Sequence, residues 1–342
     1  MKQFWPRLKQ QWTRYQGLIT IALVVFIAIF LGRAIYRHWQ GIATIHITWV
    51  AGAWLAIATG TTLFAFILTG WLWGWILQDF DYPINNIWAT QIYLTTNIAK
   101  YLPSNLIHLY GRTLAATRMG VPLSVATLSV VLDTLLMMAA GLVLGVMTVP
   151  DQGLLLAGLG LGTLLILIHP RVLKLGAEQI RGLSRSLRSK KLFNQPQLFP
   201  LQRHPYPWRL LLGELGILIL RGLGFAMVVE ALMPLEISAI PRLISIFSVG
   251  WLLGFISPGI PGGIGVFELT VSQLLTSPGI VAQEQTLSYG FALGIVALYR
   301  LMNTLAEALG AGLAWLDSQH SAQPVSPAPA ALGKAELTQP KR

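Results

Sequence analysis

The sequence predicts an all-α polytopic membrane protein. Three observations carry the prediction. Only 11% of the 342 residues are charged and 54% are hydrophobic, whereas soluble domains carry about 25% charged residues. Apolar runs long enough to cross a bilayer recur along the chain, a span needing about 20 such residues. The basic residues, which give a formal charge of +11, gather beside those runs. Orientation in a membrane explains that placement better than binding of nucleic acid. The chain has no cysteine, which excludes disulfides, thiolate catalysis and cysteine-ligated zinc or iron–sulfur centres.

Residues 1–16 hold Lys2, Arg7, Lys9 and Arg14 and read as a basic cytoplasmic N-terminus. The membrane domain is expected over 17–316. Its first apolar run, Gly17 to Leu31, leads into Gly32-Arg33-Ala34-Ile35-Tyr36-Arg37. No small-x-small cleavage site stands there, so an uncleaved first helix is expected. Ile47 to Leu77 follows, 31 residues long. At this length it exceeds a hydrocarbon core of about 30 Å and must tilt or protrude. Trp71, Trp73 and Trp75 near its end suit an interfacial belt. The runs 121–149 and 153–168 are joined by Pro150, Asp151 and Gln152, which predicts a tight helical hairpin. A basic loop over 169–208 precedes the spans Leu210–Leu232 and Leu287–Leu316. In 317–342, Ala, Pro, Gln and Ser dominate, which predicts a disordered tail.

Two further regions are apolar but interrupted. One, 86–116, contains Lys100, Pro103, Ser104, Asn105, Gly111 and Arg112. The other, 243–277, contains Ser257, Pro258, Gly259, Pro261, Gly262, Gly263, Gly265 and Glu268. Proline lacks a backbone donor and glycine weakens a helix. The backbone is therefore expected to break at Pro103 and across Pro258, Pro261, Gly262, Gly263 and Gly265. In hydrocarbon a broken backbone is tolerated only where protein or water covers it, so both breaks should point inward.

Charge sets the orientation. Nine basic residues, Arg171 to Arg209, face the single acid Glu178 in the long loop. Loop and N-terminus should both be cytoplasmic. Segment 86–116 then begins and ends inside, and 243–277 begins and ends outside if the tail is cytoplasmic. Asp79 and Asp81 make one inner loop acidic, but the rule counts Lys and Arg. The expected architecture is six full transmembrane helices plus two re-entrant broken hairpins of opposite polarity, an inverted repeat, or about eight helices by simple hydropathy. Interrupted segments at matching places in two halves point to a transporter-type site.

The motifs resemble a known family. Asn97-Ile98-Ala99-Lys100-Tyr101-Leu102-Pro103, then Gly111-Arg112, are similar to a pattern of the lysylphosphatidylglycerol synthase membrane-domain family, also called flippase-like or UPF0104. Val131-Leu132-Asp133, Pro261-Gly262-Gly263-Ile264-Gly265-Val266-Phe267-Glu268 and Leu298-Tyr299-Arg300 agree in order over residues 15–316. The resemblance implies membrane handling of a polar-headed lipid. No counterpart of the soluble aminoacyl-transferase domain carried by some relatives is expected in 317–342, so lysyl transfer to phosphatidylglycerol is not carried over.

Ionisable residues within spans cost several kcal/mol unless paired or hydrated. Lys100, Arg112 and Arg300, with Asn97 as a polar contact, are the expected headgroup site, since arginine offers a planar fork to phosphate oxygens. Asp133, Glu268 and Glu307 are the candidates for gating or proton coupling, Glu268 as a partner for a cation such as Arg112 and Glu307 beside Arg300. Arg300, Asn303, Thr304 and Glu307 share one helical face that should look inward. Glu214 and Arg221, seven apart, share a face but stand about 10 Å apart along the axis and each need another partner. His38, His46, His108, His169, His204 and His320 show no metal-ligand spacing, and no phosphate-binding loop occurs. No metal, cofactor or direct ATP drive is expected. The expected function is a lipid flippase or lipid-linked transporter in the inner (plasma) membrane, both termini cytoplasmic, not an enzyme. Its expected partners are membrane lipids and, in one alternative, a lipid-biosynthetic enzyme. That alternative makes the chain a non-transporting accessory subunit; the other is a membrane-embedded group transferase, against which the almost purely basic loop counts.

Overall fold

The computed structural model describes residues 48–101, 106–149, 151–186, 206–257, 260–277 and 287–320. The expected first span over 17–31, the basic terminus 1–16, Pro103, Pro258 and the tail from 321 lie outside the described residues. Among those described there are helices and no strands. Six helical stretches are long and apolar enough to cross a membrane, joined by shorter helices in the two interrupted regions.

Helix α1, Trp49–Asp79, starts where the Thr48 hydroxyl accepts the Ala51 N–H at 3.2 Å, satisfying one of the donors that a helix start leaves free. Its 31 residues run about 46 Å, so it overreaches the bilayer core as expected. The tryptophan belt is only partly observed. Trp71 and Trp75 are exposed, but Trp73 is fully buried, donates to Ser129 Oγ at 3.2 Å and stacks near Trp88. Residues two apart point in nearly opposite directions on a helix, so three such tryptophans cannot share one interfacial face.

The first interrupted region forms α2, Asn86–Asn97, a 3-10 turn Ile98–Tyr101, and α3, Ile107–Arg118. Helix α2 lies so close on α1 that a Cβ at Gly70 would stand 2.7 Å from the Thr90 Cα. Next come α4, Leu123–Gly145, and α5, Asp151–Ile168, the expected tight hairpin. Most of α5's apolar surface is exposed, the pattern of a lipid-facing helix. The basic loop opens as a helix: α6, Pro170–Ser186. Leu173 packs on the core while Arg171, Lys174 and Glu178 stay exposed, an amphipathic period hidden beneath the dominant charge signal.

The second half repeats the order. Helix α7 is Trp208–Leu232; α8 is Ile240–Ile256 with a 3-10 lead-in from Ile237; α9 is Val266–Leu275; α10 is Tyr289–His320. The expected broken hairpin is thus unequal. Its first arm, Ile237–Ile256, has 20 residues and is itself of spanning length, whereas α9 has ten. The break between them contains Gly262 at φ 57°, Gly263 at φ 65° and Gly265 at φ 94°, a region L side chains rarely adopt.

Packing follows a two-fold plan. Helix α1 packs on α7, α2 on α1 as α8 on α7, and α3 on α4 as α9 on α10. Across the halves, α4 packs on α8 as α10 packs on α2, and α4 meets α7 as α10 meets α1. Exchanging the halves maps each of these contacts onto one of the same set; α5 and α6, which pack on α4, have no counterpart among the described residues. At the centre the two breaks touch: the 3-10 turn Ile98–Tyr101 meets the turn Pro261–Gly263.

Candidate functional site

The meeting of the breaks leaves a cavity of about 100 Å³, room for several waters. Helices from both halves supply its walls. Asn97, Lys100, Arg112 and Arg300, the expected headgroup residues, all line it, as do Asp133 and Asn303. The cavity therefore brings together residues separated by about two hundred positions in the chain, and it does so around three ion pairs.

Arg112 on α3 contacts Asp133 on α4, Nη1 to Oδ2 at 3.1 Å, with both side chains buried. The Arg112 guanidinium also lies 3.8 Å from the centre of the Tyr93 ring, a cation–π contact. In the second half an ion pair again joins the corresponding two helices, with the charges reversed. Glu268 on α9 faces Arg300 on α10, Oε1 to Nε at 2.7 Å. Glu268 thus pairs with Arg300, not with Arg112. It is the third residue of α9, where the helix dipole favours an anion, and its other oxygen accepts the Gly265 N–H at 2.6 Å. Arg300 spends its remaining fork on the break itself. Nη1 donates to the Gly262 carbonyl at 3.2 Å and Nη2 to the Gly263 carbonyl at 3.3 Å, supplying donors to carbonyls that a broken helix leaves free.

The third pair ties the halves together. Lys100, in the first break, bonds Glu307 on α10. Glu307 therefore balances Lys100, not Arg300, and it also accepts from Asn303 Nδ2 at 2.8 Å. The expected inward face of α10 is correct for Arg300, Asn303 and Glu307. Thr304 is exposed, at the edge of that arc, and its hydroxyl is satisfied by its own helix at the Arg300 carbonyl, 2.8 Å away.

Glycine geometry fixes how closely the parts approach. A Cβ on Gly263 would stand 2.7 Å from the Cα of Gly254 on α8, and one on Gly262 would strike the Tyr101 ring. Gly262, Gly263 and Gly265 all take positive φ, and the first two also allow these close approaches.

Three residues outside the expected site belong to it. Arg221 and His108 line the cavity; Glu214 is fully buried and lies within hydrogen-bond reach of Asp133. Arg221 and Glu214 were visible as ionisable residues in an apolar span, but nothing local marks which helix they face. His108 lies four residues before Arg112, on the same side of α3. Among the described residues no group of three or more His, Asp or Glu is placed to hold a metal ion.

The family comparison bears on what such a site serves. The model of the family described as Lysylphosphatidylglycerol synthase TM region matches residues 16–309. The chain belongs to that family. It is accordingly a multi-pass membrane protein of a lipid-handling family, and the match covers all the cavity-lining residues. No curated protein matches the chain.

Proposed function

We propose that the protein takes the anionic headgroup of a polar-headed lipid into the central cavity and moves it across the bilayer as a flippase. The observation that carries this reading is the sign of the lining. Lys100, Arg112, Arg221 and Arg300 line the cavity with one carboxylate, Asp133; Glu307 and Glu268, which contact Lys100 and Arg300, are not among the lining residues. Such a concave, cationic, partly aromatic surface attracts a phosphate-bearing headgroup and repels cations.

The ion pairs supply a gate. At rest Asp133, Glu268 and Glu307 each neutralise a cation that would otherwise be costly at membrane depth. An arriving phosphate competes for the same donors, so loosening of the α3–α4 or α9–α10 pair is coupled to headgroup binding. The two breaks meet at the cavity, and rocking one half against the other opens it to one face at a time. In this reading both termini and the basic stretch 169–208 lie on the cytoplasmic side of the plasma membrane, and no covalent chemistry is performed on the lipid.

The test is transport by purified protein in liposomes. Arg112→Gln combined with Asp133→Asn removes the pair without orphaning a buried charge. It is expected to abolish translocation of an anionic lipid, while Arg171→Gln on exposed α6 leaves the rate unchanged. Wild-type rates in the double variant would remove this pair from the transport path.

A further inference from the structure

The four cations of the cavity are not alike. Lys100, Arg112 and Arg300 each face a carboxylate. Arg221, on α7, does not: among the described residues no carboxylate oxygen lies within 4.0 Å of it. It is 5% exposed and lines the cavity. Its guanidinium is already oriented. Nη2 donates to Thr69 Oγ1 on α1 at 3.2 Å, and the group lies 4.6 Å from the centre of the Phe66 ring. Nε has no acceptor among the described residues. Lys100 Nζ sits over the same Phe66 ring, 5.5 Å from its centre, so two cations flank one aromatic side chain. Asp133 and Glu214 lie within electrostatic range of Arg221, but neither carboxylate contacts it. Glu214, on the same helix, is buried with neither oxygen hydrogen-bonded among the described residues, and Asp133 is itself engaged by Arg112.

A buried guanidinium with an oriented fork and no carboxylate in contact is an incomplete ion pair. Its complement is a planar or tetrahedral oxyanion that takes two parallel N–H bonds. We infer that Arg221 is the docking point for a phosphate group in the cavity. Arg221 gives the phosphate its fixed anchor; the three paired cations add donors as their ion pairs loosen. The inference deepens the lipid-handling reading and rests on it for the source of the phosphate, a lipid headgroup rather than the free ion.

The experiment is calorimetric titration of purified protein in neutral detergent. The probes are dihexanoyl phosphatidylglycerol, dihexanoylglycerol without phosphate, and inorganic phosphate. The proteins are wild type, Arg221→Gln, Arg221→Lys and the surface control Arg171→Gln, each checked for folding by thermal unfolding. The expected result is that the phospholipid binds wild type and the control alike. Loss of one charge-assisted fork weakens binding in Arg221→Gln roughly tenfold or more. Arg221→Lys, which keeps charge but not the fork, falls between and serves alone if the Gln variant does not fold. Dihexanoylglycerol is expected to show no dependence on residue 221. If inorganic phosphate binds as well as the phospholipid and with the same dependence on Arg221, the anion site stands and the lipid source falls. Phospholipid binding equal in wild type and both Arg221 variants overturns the inference while leaving the lipid reading intact. Absence of binding by any phosphate probe to wild type overturns both.

Discussion

At the scale of single residues, the site pairs three of its four cavity cations with carboxylates. Removing one member of a buried pair leaves an uncompensated ion and typically costs about 3–5 kcal/mol, whereas replacing both is far milder. Asp133→Asn or Arg112→Gln alone is therefore expected to destabilise by about 3–5 kcal/mol, and the double variant by clearly less than the sum. Thermal unfolding of the four proteins in detergent reads this as a double-mutant cycle; additive losses would mean that the contact is not energetically coupled. The sequence displays every one of these charges, because an ionisable residue in an apolar run is conspicuous. It does not display the pairing. Lys100 and Glu307 are 207 positions apart, and helical periodicity led instead to Glu307 beside Arg300. Arg221 illustrates the same gap: the residue was visible, its lack of a carboxylate was not.

At the scale of elements, the breaks were legible because proline and glycine act locally. Gly262, Gly263 and Gly265 beside Pro261 weaken helix there, and the structure gives each of the three glycines a positive φ. Gly263→Ala is the sharpest test of the second break. It forces an L residue into the left-handed region, about 1–3 kcal/mol of strain. It also drives a Cβ to 2.7 Å from Gly254 backbone that has no side chain to move aside. The expected outcome is a large loss of thermal stability with transport lost in the same variant; unchanged stability would mean that the break relaxes freely. What was not legible depended on competing signals. The basic density of 169–208 concealed the amphipathic α6, and the extra turn from Ile237 that brings the arm of α8 to spanning length carries no break signal. Tryptophan chemistry suggested an interface for Trp73, where one helical turn of geometry placed it in the core.

At the scale of the whole molecule, two halves without evident residue identity share one packing plan. Their equivalent ion pairs, Arg112–Asp133 and Glu268–Arg300, carry opposite charges, so the plan is preserved by geometry and by neutrality rather than by residue type. The charge rule further predicts that the halves are inverted. The chain has no cysteine, so single cysteines can report side directly. Cysteine at Arg118 is expected to react with an impermeant maleimide only after the cytoplasmic face is opened, and cysteine at Glu236 or Ser277 to react from outside. Labelling of all three from one face would contradict the inverted arrangement. The central claim is that a cationic cavity between the halves carries an anionic lipid headgroup across the membrane. The most direct measurement is the transbilayer rate of headgroup-labelled lipids in liposomes containing the wild-type protein, compared between anionic and zwitterionic headgroups on identical acyl chains. The account predicts accelerated movement of the anionic lipid, well above protein-free liposomes, and little for the zwitterionic one. Folded protein that accelerates neither lipid would contradict it.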